Sequence, residues 1–435
     1  MSRIGRTRSG PLGRREFVRQ AAVGAAGLTL LSRRAGATPP SDKIVVAHIG
    51  VNGMGRNHIR WFAGLEDVEV AALCDVDGGH LGKAMETLYD IRPGSRTEAY
   101  LDFRRVLDRK DIDAITCATP DHWHALVAVM AFQSGKDVYG EKPLTYSARE
   151  GRAMLDTLER HDRIFQLGNQ IHASDNYHRV VELVRSGVLG EVRKVHLWKT
   201  GGSPDLGFPA NEAPPGALDF DMWLGPSREV EYNPARCHFS YRYFLEYSGG
   251  KYQDFWCHIA DVAFWALQPK GLRRVSARGE SPIDGIADAP AWIDVDFAFD
   301  GLDIHWTTEP PDLPGAAERG IGAYFIGTKG TLVCDYGTRE IRLDGEVLED
   351  LPEVPETIPR SPGHQQNFVD SVKSRIHPES NLAYAREMTL PMHLGLISWR
   401  LKRPLEWDAE KERFVNDPAA DYLLSRDYRA PWTLS

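Results

Sequence analysis

The chain has 435 residues, of which 42% are hydrophobic and 10% aromatic, values typical of a globular protein. Because a single hydrophobic core stops growing below this length, we expect two domains behind any targeting segment. Acidic residues outnumber basic ones by 61 to 52, which argues against nucleic acid and anionic membrane surfaces as partners.

Residues 1–37 have the composition of an export signal peptide. They carry eight Arg and one Glu, include the apolar run AAVGAAGLTLL and end in AGA, a small-x-small cleavage pattern. Arg14 and Arg15 are adjacent in RREFV, which resembles the twin-arginine export signal; the alternative is the basic region of an ordinary secretory peptide. Removing this segment leaves 44 basic and 60 acidic residues, a net charge of −16.

The apolar run is too short to span a bilayer, and no later stretch approaches the roughly 20 residues that a transmembrane helix requires. We therefore expect a soluble mature protein with no membrane partner. The signal predicts a periplasmic or secreted location, reached through the twin-arginine export machinery.

Residues 38–165 are predicted to form a Rossmann domain. Buried strands alternate with helices along this stretch, in the order KIVVAHIG, VEVAALCD, DAITCATP, the helix HWHALVAVMAFQSG, KDVYG, the helix AREGRAMLDTLERH and RIFQLG. Strands separated by helices indicate a doubly wound parallel sheet, an α/β fold.

The turn GVNGMG between the first strand and its helix predicts a dinucleotide site. Asp75 ends the second strand, about 20 residues past the last glycine, where a carboxylate accepts both hydroxyls of an adenosine ribose. Because this acid repels a 2′-phosphate, NAD is favoured over NADP. The alternative is a glycine-rich turn in a fold that binds no nucleotide. Besides Asp75, the predicted cofactor contacts are Gly50, Asn52, Gly53, Met54 and Gly55.

The strand KDVYG ends in Glu141, Lys142 and Pro143. Charged residues followed by a proline cannot continue a central strand, because proline lacks the amide hydrogen and charges resist burial. Parallel sheets bind ligands beyond the carboxyl ends of their strands. This triplet is therefore predicted to lie at the ligand crevice.

Residues 166–435 are predicted to form an α+β domain with a large, mainly antiparallel open sheet. Asp-Gly separates alternating apolar runs in WIDVDFAFDGLDIHW and in IRLDGEVLE, which is typical of tight antiparallel hairpins. Ahead of these strands, GGKYQDFWCHIADVAFWAL reads as a helix. Asp254, His258 and Asp261 are spaced four and three apart on it, so all three share one face.

No metal site is predicted. Cys257, His258 and Asp261 lack the usual ligand spacing, and His122 and His124 do not share a helical face. Five scattered cysteines without a CxxC pair indicate neither a disulfide framework nor a structural zinc site.

The strand-turn-helix at 43–65, ATPDHWH at 118–124 and EKP at 141–143 together resemble the Gfo/Idh/MocA family of oxidoreductases. Further similar segments are VRSGVLGEV, DFDMWLGP, YSGGKYQDFWCHIADVAFWAL and HQQNFVDSV. The resemblance covers almost all of the mature chain. With the N-terminal signal, the chain looks most like the secreted branch of that family.

The resemblance implies roles for several residues. Lys142 reaches the nicotinamide ribose and the reacting hydroxyl, and Glu141 orients Lys142 or is a surface charge. The family's Asp-x-x-x-His makes His258 the general base, oriented by Asp254, with a structural histidine as the alternative. By the resemblance, Pro120 and His124 lie beside the nicotinamide; for His124 the alternative is a structural role in the first turn of its helix. Trp223, His238 and Arg242 lie on the substrate side, near family-like segments.

The predicted function is an exported NAD(P)-dependent oxidoreductase. It transfers hydride between a secondary hydroxyl of a sugar, polyol or glycoside and a tightly bound nicotinamide cofactor. One alternative is redox-neutral: an NAD-dependent glycosidase or lyase that works through a transient keto-sugar. The other is a carbohydrate-binding relic without activity. Analogy with the family also implies assembly into homo-oligomers.

Overall fold

The computed structural model describes residues 43–434. The predicted signal peptide lies outside this range. None of the helices within it is both long and apolar enough to cross a membrane.

The first sheet has six parallel strands in the order β3-β2-β1-β4-β5-β6. Its strands are β1 (Ile44–Ile49), β2 (Val68–Cys74), β3 (Glu98–Tyr100), β4 (Ala114–Cys117), β5 (Asp137–Glu141) and β6 (Phe165–Gly168). The helices between them are α1 (Met54–Ala63), α2 (Gly78–Ile91), α3 (Phe103–Asp108), α4 (Asp121–Gln133) and α5 (Ala148–His161).

This sheet confirms the predicted Rossmann fold. The strand order reverses between β1 and β4, and a crevice forms where the loops after these two strands diverge. β4 and β5 are buried along their whole length, although β5 begins with Asp137 and ends with Glu141. The short, mostly exposed β3 was not predicted, because its three residues carry no apolar pattern.

The second sheet has ten strands in the order β14-β13-β12-β11-β7-β10-β9-β8-β15-β16, and only β7 and β10 pair in parallel. Its strands are β7 (Val192–Lys199), β8 (Arg274–Glu280), β9 (Trp292–Phe299), β10 (Leu302–Thr307), β11 (Ile321–Gly327), β12 (Gly330–Cys334), β13 (Arg339–Leu343), β14 (Glu346–Val347), β15 (Leu405–Asp408) and β16 (Arg413–Phe414).

Helices of this half are α6 (Asp175–Arg185), α7 (Phe220–Leu224), α8 (Gly250–Leu267), α9 (His364–Ser374), α10 (Leu382–Leu401) and α11 (Pro418–Tyr422), with 3-10 turns at Gln170–Ala173 and Ser240–Tyr243. The predicted α+β architecture is confirmed. Both Asp-Gly hairpins form, because Phe299 pairs with Leu302 and Leu343 with Glu346.

Helix α8 lies in the core of this half. Trp256 is fully buried, packs on Phe297 and Trp306 of the second sheet, and donates a 2.8 Å hydrogen bond to the Met388 carbonyl of α10. This packing fixes α8 from behind, so that its opposite face is held toward the first sheet.

Residues 201–249, here called the covering segment, run across the carboxyl-terminal edge of the first sheet. Two backbone hydrogen bonds of 2.9 Å attach them there, from Gly78 to Ala217 and from Asp219 to Val76. The segment has its own apolar cluster, which includes Trp223, Phe244 and Tyr247. It forms one wall of the crevice.

Candidate active site

The glycine-rich turn after β1 presents bare backbone to the crevice. Gly50 has φ +78°, and a β-carbon there would lie 2.6 Å from the Ala118 carbonyl oxygen, so only glycine fits between the two loops. Gly53 has φ +49°, and a β-carbon there would meet no atom within 4 Å. The turn is therefore closely packed on one side and open on the other, as a pyrophosphate cradle requires.

Asp75 is held rigidly beside this turn. One carboxylate oxygen accepts from the Val51 amide at 2.9 Å and the other from the Asp77 amide at 3.0 Å. The side chain lines the crevice, where free lone pairs of its oxygens can accept ribose hydroxyls. The turn and Asp75 together fit the adenosine and pyrophosphate portions of a dinucleotide.

A cavity of about 850 Å³ extends from this end toward α8. Such a volume lies within the range of ligand and cofactor sites. Among its lining residues are the turn glycines Gly50 and Gly53, Asn52, Met54, Asp75, Pro120, Trp223, His238, Glu141, Lys142, Arg242 and Asp254. Gly55 lies behind the turn, where a β-carbon would collide with the Gly50 carbonyl oxygen.

Lys142, Asp254 and Arg242 meet in the middle of the cavity. The Lys142 Nζ donates to Asp254 Oδ1 at 2.6 Å and to the Asp254 carbonyl at 3.1 Å. Arg242 Nε lies 3.3 Å from Asp254 Oδ2. Three residues from three separate segments thus form one charged group, and all three were predicted site residues.

This contact fixes the charges of the group. Burial alone would raise the pKa of Asp254, but Lys142 and Arg242 outweigh it and lower the pKa to about 2. Burial would lower the pKa of Lys142, whereas the negative charges of Asp254 and Glu141 raise it above its ordinary value. Both groups are charged at neutral pH.

His258 lies one helical turn after Asp254 on α8. Its Nδ1 is buried and has no hydrogen-bond partner among the described residues. Burial, followed by the positive charge of Lys142, lowers its pKa to about 4, so the imidazole is neutral and can accept a proton. The predicted orienting contact from Asp254 does not form, because the Asp254 carboxylate faces Lys142 and Arg242 instead.

Glu141 is buried and does not pair directly with Lys142. Its Oε1 lies 2.8 Å from His58 Nε2 and accepts from Gln170 Nε2 at 2.9 Å. Burial would raise the pKa of Glu141, but His58 and the charge of Lys142 lower it. Glu141 therefore acts on Lys142 through its charge alone. Gln170 thus serves as a partner of Glu141.

Pro120 lines the cavity, whereas His124 lies behind the loops. Its two ring nitrogens contact carbonyl oxygens, that of Pro143 at 2.7 Å and that of Thr119 at 3.0 Å. His124 thus connects the loop after β4 to the loop after β5. This placement corresponds to the structural alternative more than to direct cofactor contact.

His238 needs a correction, because it lies at the Asp75 end of the cavity and not beside Lys142. Its Nε2 is 3.1 Å from Asp77 Oδ2, and its ring packs edge-on against His80 with centroids 4.3 Å apart. Asp77, His80 and His238 are potential metal ligands within 4.8 Å of one another. Asp77 already accepts from His80 and Gly79 amides at the start of α2, so hydrogen bonding accounts for the group.

Trp223 touches the cavity but is 97% buried within the apolar cluster of the covering segment, where it packs on Tyr247. Its carbonyl oxygen lies 3.1 Å from the ring nitrogens of both His122 and Trp123. The side chain therefore has a structural role first. Little of it is free to contact a substrate.

Asp121 is a site residue that the sequence did not reveal. It is buried at the first position of α4, and its carboxylate accepts from Tyr241 at 3.0 Å and from Ser248 at 2.5 Å. These bonds join the covering segment to the loop after β4. An acidic residue in a helical first turn ordinarily indicates only a favourable helix start, so the local pattern gave no further signal.

Two family models match the chain. Residues 44–169 match the "Oxidoreductase family, NAD-binding Rossmann fold", and residues 176–434 match the "Oxidoreductase family, C-terminal alpha/beta domain". Both models describe the Gfo/Idh/MocA family.

Individual curated relatives match only part of the chain. The glycosyl hydrolase family 109 protein 1 of Shewanella sp. (strain MR-4) is 32% identical over 157 residues, 35% of this chain and 34% of the relative. The match thus spans about a third of that relative's length.

Two solved structures share the fold. The WlbA dehydrogenase from Bordetella pertussis, in complex with NADH and UDP-GlcNAcA, gives a TM-score of 0.62 at 16% identity. A levoglucosan dehydrogenase in complex with NADH and levoglucosan gives 0.59 at 17% identity. Each similarity covers 84% of this chain and 99% of the other.

Proposed function

Because the chain belongs to the Gfo/Idh/MocA family of oxidoreductases, we propose that it oxidises or reduces a secondary hydroxyl of a sugar, polyol or glycoside with a tightly bound nicotinamide cofactor. The observation that carries this proposal is the Lys142–Asp254 contact, which faces the same cavity as the glycine-rich turn and Asp75. A charged hydroxyl-binding group and a dinucleotide cradle within one cavity are the two halves of a dehydrogenase site.

The cofactor would be held by Gly50, Asn52, Gly53 and Met54 of the turn and by Asp75. When bound, it supplies the hydride acceptor or donor for the reaction. Asp75 favours NAD over NADP, because its carboxylate suits ribose hydroxyls and repels a 2′-phosphate.

Two side chains would transfer the hydroxyl proton and stabilise the charge that develops on the substrate oxygen. Neutral His258 takes the proton of the substrate hydroxyl as general base. The Lys142 ammonium stabilises the negative charge that develops on the same oxygen. Asp254 keeps Lys142 charged and in position, and the negative charge of Glu141 supports this. In the reductive direction the same groups return the proton.

Substitution of the proposed base tests these roles. His258→Gln should lower the rate of sugar oxidation by about 100-fold or more while the cofactor stays bound. His305→Gln on β10, remote from the cavity, is the matched control and should leave the rate unchanged. An unchanged rate in His258→Gln would contradict the assignment of the base.

A second candidate function is redox-neutral. The name of the glycosyl hydrolase family 109 relative supports a reaction in which a glycoside is oxidised, cleaved through its keto form and reduced again. Incubation with glycosides and no added electron acceptor separates the two functions. Many turnovers that release a reducing sugar support the redox-neutral reaction, whereas one oxidation per chain supports the simple dehydrogenase.

The location proposed with this function is the periplasm or the extracellular space, reached through the twin-arginine route. The proposal rests on residues 1–37 of the sequence, with Arg14 and Arg15. A tightly bound cofactor agrees with this location, since a folded chain could carry its cofactor through that route. Homo-oligomers are proposed by family analogy, and light scattering of the purified chain tests this.

A further inference from the structure

Two lysines stand beside the substrate end of the cavity without an acidic partner. Lys251 lines the cavity from the first turn of α8, and a β-carbon at Gly201 of the covering segment would lie 3.1 Å from its Nζ. Lys199, at the end of β7, places its Nζ 5.0 Å from the centre of the Phe255 ring, which also lines the cavity. Within residues 43–434, neither lysine forms an ion pair with a carboxylate.

The hydrogen bonds of these lysines leave donors free. The Lys199 ammonium donates to the Thr200 carbonyl at 2.9 Å, which uses one of its three N–H groups. No hydrogen bond of the Lys251 ammonium occurs within the described part of the chain. Burial and then the charge of Lys251 lower the pKa of Lys199, and the charge of Glu309 opposes this only in part, so the two ammonium groups are close enough to disfavour each other.

The carboxylates around the reacting centre already have other partners. Asp254 is shared by Lys142 and Arg242, and Glu141 is engaged by His58 and Gln170. Asp121 accepts hydrogen bonds from Tyr241 and Ser248. Lys251 is therefore left without a carboxylate partner among residues 43–434.

We propose that Lys251 and Lys199 form a subsite for an anionic group of the substrate, so that the protein acts on acidic sugars. The shared chemistry is an oxyanion, either a carboxylate, a sulfate ester or a phosphate ester. Lys251 and Asp254 are three residues apart on one helical face, about 5–6 Å between β-carbons. The anion therefore belongs to the sugar unit that is oxidised or to its direct neighbour. This inference rests on the proposed function and specifies its substrate class.

The test compares four probes on the purified full chain: D-glucuronate, D-glucose 6-sulfate, D-glucose 6-phosphate and neutral D-glucose. Calorimetric titration gives the dissociation constant of each, and absorbance of the reduced nicotinamide gives turnover. The anionic probe with the best-suited oxyanion should bind at least about tenfold more tightly than glucose, and less tightly as salt concentration rises.

Lys251→Gln should abolish this preference by weakening only the anionic probe, again about tenfold. Lys270→Gln, which removes an exposed lysine of the same chain paired with Glu387, is the control and should change nothing. Lys199→Gln should show a smaller loss with the same selectivity for the anionic probe. Thermal unfolding of each variant confirms that the fold is intact.

Binding and turnover keep the two proposals distinguishable. If glucose reduces the cofactor as well as the anionic probes do, and Lys251→Gln has no selective effect, the subsite is overturned and the oxidoreductase stands. If an anionic probe binds through Lys251 but no probe reduces the cofactor, the subsite stands and the proposed function fails. Absence of binding by all three anionic probes also overturns the subsite.

Discussion

His258 has a pKa lowered to about 4 and a buried Nδ1 without a hydrogen-bond partner among the described residues. Below that pKa the imidazole carries a proton and cannot accept another. Sugar oxidation, measured as kcat/KM, should therefore stay level from neutral pH downward and fall only as the pH approaches about 4. A loss of activity centred near 6.5, the ordinary value for histidine, would contradict the described environment of His258.

The predicted preference for NAD over NADP depends on Asp75. Replacing it by serine removes the negative charge that repels a 2′-phosphate, so Asp75→Ser should lower the preference for NAD over NADP about tenfold or more. Competitive binding of the two dinucleotides measures this ratio. Asp77→Ser, which keeps a residue able to cap α2, is the control and should leave the ratio unchanged. An unchanged ratio in Asp75→Ser would place the adenosine ribose elsewhere.

At the scale of elements, α8 carries two different polar sites on one face. Asp254 faces the cavity, whereas Asp261, two turns later, is buried in a network with three other residues. It contacts His172 Nδ1 at 3.0 Å, accepts from Asn169 Nδ2 at 2.9 Å and accepts a hydrogen bond from the Tyr384 hydroxyl. The helix therefore links the candidate active site to the interior.

This network predicts a pH-dependent stability. Burial would lower the pKa of His172, but the charge and hydrogen bond of Asp261 raise it to about 9, above its ordinary value of 6.5. A raised pKa contributes stability that is complete below pH 6.5 and is lost as the pH rises through about 9. The free energy of unfolding, from denaturant titrations, should fall across that interval.

Asp261→Asn should weaken this pH dependence and destabilise the fold by about 3 kcal/mol, because it leaves the buried His172 with only the more distant Glu379, at 3.7 Å. The control is Asp296→Asn on β9, which removes an exposed carboxylate paired with His305; it should cost less than about 1 kcal/mol. Equal effects of the two substitutions would contradict the importance of the buried network.

The sequence predicted elements better than contacts. Apolar patterns and turn residues are local features of the sequence. They predicted the strands of the first sheet, the position of Lys142 at the crevice and the helix that carries Asp254. They did not predict the partners of Glu141 and His238. His58 is 83 residues from Glu141, and Asp77 is 161 residues from His238, so only the folded chain brings them together. These partners could therefore not be predicted from local sequence patterns.

At the scale of the whole molecule, the cavity lies between the carboxyl-terminal edge of the first sheet, the covering segment and α8. Helix α9, late in the chain, also packs on the first sheet through Phe368, which contacts Phe62 and Tyr139. The two halves are therefore joined on more than one side.

Export through the twin-arginine route is a prediction about the whole chain. Replacing Arg14 and Arg15 with lysines in the full-length chain should prevent its appearance in the periplasmic or secreted fraction, because the twin-arginine pair is the address that is read. Immunoblots of cell fractions measure this. Unchanged export of the double-lysine chain would favour the ordinary secretory route.

The central claim is that the cavity holds a nicotinamide dinucleotide. It is tested most directly by denaturing the chain, purified without added cofactor, and identifying the released small molecule by mass spectrometry and absorbance. The account predicts NAD(H) at close to one molecule per chain. If nothing is released and added NAD does not bind, the assignment of the glycine-rich turn and Asp75 is wrong, and the roles proposed for Lys142 and His258 fall with it.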